Sequence, residues 1–124
     1  MSISNDLEDK ILNLVFNATA YSGQATVYVK LHTGDPGEAG TNNAATHTTR
    51  AAATFGTASG GAISNDAAVT FTSMAANETI SHISLWDASS GGNCLWIGAL
   101  TASKSVNTGD TFQINTGDLD ITLD

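Results

Sequence analysis

The sequence predicts an all-β protein, an antiparallel β-sandwich or jelly roll with one short N-terminal helix. Three observations carry that expectation. Helical spacing of apolar residues occurs only before Asn17, alternating segments rich in β-branched residues follow Gly23, and glycine-rich turn sequences separate them. A chain of 124 residues fits one domain and can bury roughly two thirds of the surface its unfolded form exposes. The expected division is a helix and connector over residues 1–22 and a single β-sandwich domain over residues 23–124.

The helix is read from Leu7, Ile11, Leu14 and Val15, with Glu8, Asp9, Lys10 and Asn13 between them. Such a stripe either covers the domain's own core or docks the helix on a neighbouring subunit, so Leu7, Ile11 and Leu14 are candidate partner contacts. The helix should start near Asn5 as its cap, with Glu8 three residues on as in a capping box. Asp6, Glu8 and Asp9 then occupy the first turn, where the helix dipole favours negative charge. It should end before Gly23.

From Ala25 to His32 the pattern alternates, with Val27, Val29 and Leu31 on one face and Tyr28, Lys30 and His32 on the other. This predicts a half-buried strand. A loop from Thr33 to Thr49 follows, carrying the turn signals Gly34-Asp35-Pro36-Gly37 and Gly40-Thr41-Asn42-Asn43. Its tip is expected to be mobile or bound to a partner, which makes Asp35, Pro36 and Glu38, and Arg50 just beyond, further candidate contacts. Strands are predicted over Arg50–Phe55, Ala68–Thr72, Ile80–Asp87, Cys94–Leu100, Thr111–Asn115 and Leu119–Leu123. Ser59-Gly60-Gly61, Ser90-Gly91-Gly92-Asn93, Thr108-Gly109-Asp110 and Thr116-Gly117-Asp118 tolerate positive φ and serve as turns. Strand order is not specified by these signals.

Composition narrows the function classes. Twelve acidic residues against Lys10, Lys30, Arg50 and Lys104 give a net charge of −8, which repels nucleic acid and anionic lipid. An apolar run long enough to span a bilayer is absent, as is a secretory signal in the first residues, so no membrane partner and synthesis in the cytoplasm are expected. The single cysteine, Cys94, lies beside Leu95, Trp96 and Ile97 and reads as a buried thiol.

No Gly-x-Ser-x-Gly elbow, phosphate loop, His-Glu-x-x-His helix or zinc-spaced cysteine pair occurs, and the expectation is a protein without enzymatic activity or cofactor. His32, His47 and His82 are scattered, so they read as sheet or surface residues and not as a metal triad. Asp118 and Asp120 sit two apart before a strand with Asp110 nearby in sequence, but Asp after Gly in a turn is explained by Asx-turn chemistry, and no metal site is expected. Trp86 and Trp96 flank a glycine-rich hairpin and alternate with Ile83, Leu85, Leu95 and Ile97, which predicts that both tryptophans point to the face opposite those aliphatics. Each serves either as core or as an interface anchor, so both are candidate partner contacts.

The segment LHTGDPGEAGT from Leu31, the segment SHISLWDASSGGNCLWIGAL from Ser81, the ending SKSVNTGDTFQINTGDLDITLD and the opening LEDKIL resemble a family of small phage proteins usually labelled tail-fibre proteins. The resemblance spans nearly the whole chain and implies a virion structural protein. Members often carry an aromatic residue shortly before the arginine that corresponds to Arg50, where this chain has Thr48 and Thr49.

Within the virion, the compact acidic composition favours a capsid decoration, or cement, protein that binds the major capsid protein as a homo-oligomer, with a trimer favoured. The alternative is a short tail-fibre or tail-tip component bound to tail proteins. Repeats or heptads of a trimeric shaft are missing. A glycan-acting enzyme is a remote third reading, because it requires paired carboxylates facing one cleft.

Overall fold

In the computed structural model, which describes residues 2–123, every strand pairing is antiparallel. The elements are β1 (Ser2–Ile3), α1 (Asn5–Asn17), β2 (Val27–His32), β3 (Ala51–Ala53), β4 (Ala62–Ser64), β5 (Val69–Phe71), β6 (Glu78–Trp86), β7 (Cys94–Val106), β8 (Phe112–Ile114) and β9 (Asp120–Thr122). One sheet has the order β1-β7-β6-β2-β3, and two ribbons, β4-β9 and β5-β8, complete the sandwich.

Alternation builds the core as predicted. Val29 pairs with Leu85 and Leu31 with Ile83, so the aliphatic faces of β2 and β6 coincide. Opposite them, β5 and β8 contribute Val69, Phe71, Phe112 and Ile114, and the two phenylalanine rings meet edge to face at 5.9 Å. Val29, Leu31 and Val69 have no exposed surface. Each such aliphatic stabilises the fold by about 1.5–3 kcal/mol relative to leaving it in water.

The strand expectations hold at their centres, while the structure adds β1 and β4 and extends β7 to Val106. β4 has one large apolar residue, Ile63, and forms because Ile63 meets Ile121 of β9 across the ribbon. Its local signal is therefore weak. The ribbon is fastened by Asn65, which is 2% exposed. Its Nδ2 donates to the carbonyls of Ala67 and Asn115, and its Oδ1 accepts from the amides of Gly117 and Leu119.

The helix starts at Asn5, near where it was expected, but its cap lies one residue earlier. Ser4, not Asn5, is the N-cap, with an extended backbone and a hydroxyl that accepts from the Leu7 amide. The same hydroxyl donates to the Cys94 carbonyl at 2.6 Å, and the Ser4 amide donates to Leu95. Tertiary pairing to β7 thus decides where the helix starts, and Glu8 is one position out of register for a capping box. The helix ends at Asn17 and Ala18 takes a left-handed conformation at φ 51°.

The loop after β2 folds back over the outer face of the sheet. Backbone bonds run from Thr33 to Asn43, Asn42 to Pro36, Gly40 to Gly37 and Ala45 to Leu31. Gly40 has φ 68° and so little room that a Cβ there would lie 2.5 Å from Cys94 Sγ. The covered strand β2 is consequently buried on both faces at His32, which is 0% exposed.

Candidate assembly surface

Helix α1 has no buried residue. Leu7 packs against the core cluster and Ile11 is partly covered, but Leu14 is exposed, so the stripe read from the sequence turns away from the domain along its length. All the exposed large apolar residues of the described chain are Leu12, Leu14, Val15 and Phe16 on this helix and Leu123 at the far end of the chain. Phe16 is 77% exposed. Exposed large apolar residues concentrated on one short element mark a candidate binding surface.

Charge is arranged to match. Between Lys10 and Lys30 the sequence has no charged residue, within a chain of net charge −8. The acids of the helix, Asp6, Glu8 and Asp9, precede this stretch, and Asp6 is already paired with Lys10 at 2.7 Å. The second half of α1 itself therefore carries no carboxylate that a neighbour would have to desolvate.

Beside the helix lies an apolar groove of about 250 Å³, lined by Ile11, Ala58, Ile63, Trp96, Ile121 and Leu123 among others. Helix α1 and the β4-β9 ribbon form its walls. Trp96 is 7% exposed, and its indole N–H has no hydrogen-bond partner among the described residues. Leu12 and Leu123 continue the apolar lining into an adjoining depression with Ile3 and Glu8.

The other candidate contacts gather on the opposite side of the five-stranded sheet. Trp86 pairs with Cys94 and belongs to a small cluster with Ile97, whereas Trp96 pairs with Leu85 and joins the main core. An extra residue, Leu95, between those pairings is the bulge that reverses the relation between the two strands. The expected shared face is therefore not formed: Trp96 lies with Ile83 and Leu85 in the main core, Trp86 lies with Ile97 on the other face, and the bulge is the reason.

Trp86 is the centre of the covered face. The Arg50 guanidinium stacks on its ring, and Arg50 Nη1 donates to the carbonyls of Ala88 at 2.7 Å and Gly91 at 2.8 Å. This clamps the turn between β6 and β7. Within that turn, burial pushes the Asp87 carboxyl up, but hydrogen bonds from the Asn93 amide and side chain outweigh it and leave Asp87 below its usual range. The Trp86 N–H donates to Ser84 Oγ at 2.7 Å, and the same oxygen lies 2.7 Å from His32 Nε2.

Asp35, Pro36 and Glu38 sit together on the folded loop. They line a shallow groove with His82, Ile97 and Ser2, and Glu38 also borders Trp86 and Cys94. Pro36 is buried, and Asp35 Oδ1 accepts from the Gly37 amide as an Asx turn requires. The candidate contacts thus separate into a helix and groove set, with Leu7, Ile11, Leu14 and Trp96, and a loop set, with Asp35, Pro36, Glu38, Arg50 and Trp86.

The reactive-looking groups have structural surroundings. Ser84 and His32 are both 0% exposed, so their pair is closed to any substrate. The Cys94 thiol is buried beneath Gly40, and burial pushes its pKa up to about 11, which suppresses the thiolate needed for reactivity. Asp110 accepts from the Asn107 amide within its turn, and Asp120 accepts from the Ser64 hydroxyl across the ribbon. Among the described residues, no group of three His, Cys, Asp or Glu side chains is placed to hold a metal ion. No described helix is long and apolar enough to cross a membrane.

Sequence reasoning missed Leu12, Phe16 and Leu123 as surface features, and it did not foresee the groove. The available signal was the charge-free stretch after Lys10, in which apolar residues spread beyond one helical stripe.

The described residues thus form a β-sandwich around a hydrophobic core, with large apolar side chains left exposed on α1. Residues 2–122 match the family described as Podophage GP4 fiber I protein gp80, and the chain belongs to that family. It is accordingly a phage fibre-type structural protein and a component of the virion. A comparison with curated proteins finds no match.

Proposed function

We propose that this protein is a tail-fibre subunit that attaches to its neighbours through the second half of α1 and the apolar groove beside it. The observation that carries the reading is the exposure of Leu12, Leu14, Val15 and Phe16 around the second half of α1, with Leu123 beside Leu12, in a protein of a fibre family. The reaction it performs is binding, not bond making. Copies held side by side in one fibre convert modest contacts into firm attachment through high effective concentration, so a homo-oligomer, with a trimer as the expected form, suits this use.

Capsid decoration, by docking on the major capsid protein, is the second reading. It is favoured by the compact acidic sandwich, in which α1 spans only 13 residues and no shaft of heptads is present. The family description shifts the balance to the tail. Counting copies per purified particle separates the two. A few tens of copies, lost when tails are sheared from heads, support the fibre. Hundreds of copies retained on tailless heads would transfer the protein to the capsid surface.

A further inference from the structure

We propose that the loop of residues 33–49 is a proton-released flap, latched to the sheet by the neutral imidazole of His32. The inference is independent of where in the virion the protein sits.

The latch is a directed chain of hydrogen bonds. His32 Nδ1 is 2.8 Å from the Asn42 carbonyl, which can only accept, so this nitrogen carries the proton. Nε2 is then an acceptor, 2.7 Å from Ser84 Oγ, whose hydroxyl donates to it. Ser84 Oγ in turn accepts from the Trp86 N–H. Every polar atom is satisfied in one arrangement, and that arrangement needs the uncharged ring. Asn42 belongs to the loop, and Ser84 and Trp86 belong to β6. The imidazole therefore ties the flap to the strand beneath it.

A second proton on Nε2 removes the acceptor that Ser84 uses and places a positive charge at a site with no solvent exposure. Neither ring nitrogen bonds a carboxylate. The nearest ionisable groups on the sheet are Lys30 on the same strand and His82 across from it on β6, and both oppose a charge at His32. On the loop, Asp35 and Glu38 are exposed, His47 packs against Phe71, and the Glu78 carboxylate of β6 accepts from the amides of Thr46 and His47. Burial, partly offset by the Asn42 carbonyl, holds the imidazole below the usual histidine range. Opening the flap restores water to the ring and relieves that penalty. It also uncovers Trp86 and Cys94, on which Gly40 now rests.

The full chain is followed by hydrogen exchange from pH 7.5 to 5.0, corrected for intrinsic rates, a window above the titration of ordinary carboxylates. The amides of Thr33, Asn42 and Ala45 report the flap, and those of the β6-β7 ladder report the sandwich. Below the ordinary histidine titration, flap protection should fall by about tenfold per pH unit while ladder protection holds, the slope expected for one linked proton. In His32→Gln the flap amides should lose this pH dependence.

Flat protection in the wild-type protein, simultaneous loss in the ladder, or an unchanged pH response in His32→Gln would each overturn the proposal. If that variant does not fold, imidazole resonances of the wild-type protein decide. A His32 that titrates in the usual histidine range while the flap stays protected excludes the latch. A titration displaced downward and coincident with flap opening supports it.

Discussion

The Arg50 guanidinium carbon lies 4.1 Å from the centre of the Trp86 ring, with Nη1 shared between two turn carbonyls. Strand β3 begins at Ala51 and Trp86 ends β6, so one side chain joins the edge of the sheet to the turn of its central hairpin.

Arg50→Ala should lower stability by about 2–3 kcal/mol, combining the lost stacking with two charge-assisted hydrogen bonds. Arg50→Lys should recover less than half, because an ammonium cannot stack as a planar guanidinium does while reaching both carbonyls. Urea unfolding of the three proteins checks this. An alanine variant as stable as the wild type would reduce Arg50 to a surface charge.

Trp86 and Trp96 are each 7% exposed, yet they should respond differently to the same substitution. Trp96→Phe removes an N–H without a partner and should change stability by less than about 1 kcal/mol. Trp86→Phe removes the N–H that Ser84 accepts, at a cost of about 1–3 kcal/mol beyond the change in packing, while the Ser84 hydroxyl still donates to His32. Replacement by alanine should cost about 3–5 kcal/mol at either site. Equal responses to phenylalanine in thermal melting would contradict the hydrogen-bond assignment.

Cys94 should resist thiol reagents at pH 8 until the flap opens or the protein unfolds, since its pKa is raised to about 11 from the ordinary 9.0. The raised value also sets a stability window. Below pH 9 both folded and unfolded thiols are protonated, and stability is unaffected; from 9 toward 11 only the unfolded thiol ionises, so stability falls as pH rises. Cys94→Ala should flatten that part of the profile. A wild-type thiol that reacts as fast as a free peptide would show that the covering loop does not exclude solvent.

The double substitution Val15→Ser and Phe16→Ser should leave the melting temperature nearly unchanged, because these side chains are 63% and 77% exposed. Incorporation into particles should drop at least tenfold if this face is the attachment surface. Removing residues 1–17 altogether is a poorer test, as it also deletes β1 and the buried Ser4. Normal incorporation of the double variant would direct attention to the groove or to the Asp35–Glu38 loop.

What the sequence by itself determined is the set of local choices. Alternation placed Val29 and Leu31 opposite Tyr28 and Lys30, and the turn glycines Gly60, Gly61, Gly91, Gly92, Gly109 and Gly117 all have positive φ. These follow from periodicity and backbone sterics within a few residues. The tertiary structure alone decided which surfaces are covered and which are left bare. Ser4 caps the helix because it meets Cys94, 90 residues away, and His32 is buried because a loop returns over it. The bulge at Leu95 sends two tryptophans to different faces. Each outcome is a contact between distant segments, whose free energy is paid only once the sheet exists, so no local pattern encodes it. The exposure of α1 has the same origin: its apolar residues were visible in the chain, but only the packed structure shows that the other described residues leave them uncovered.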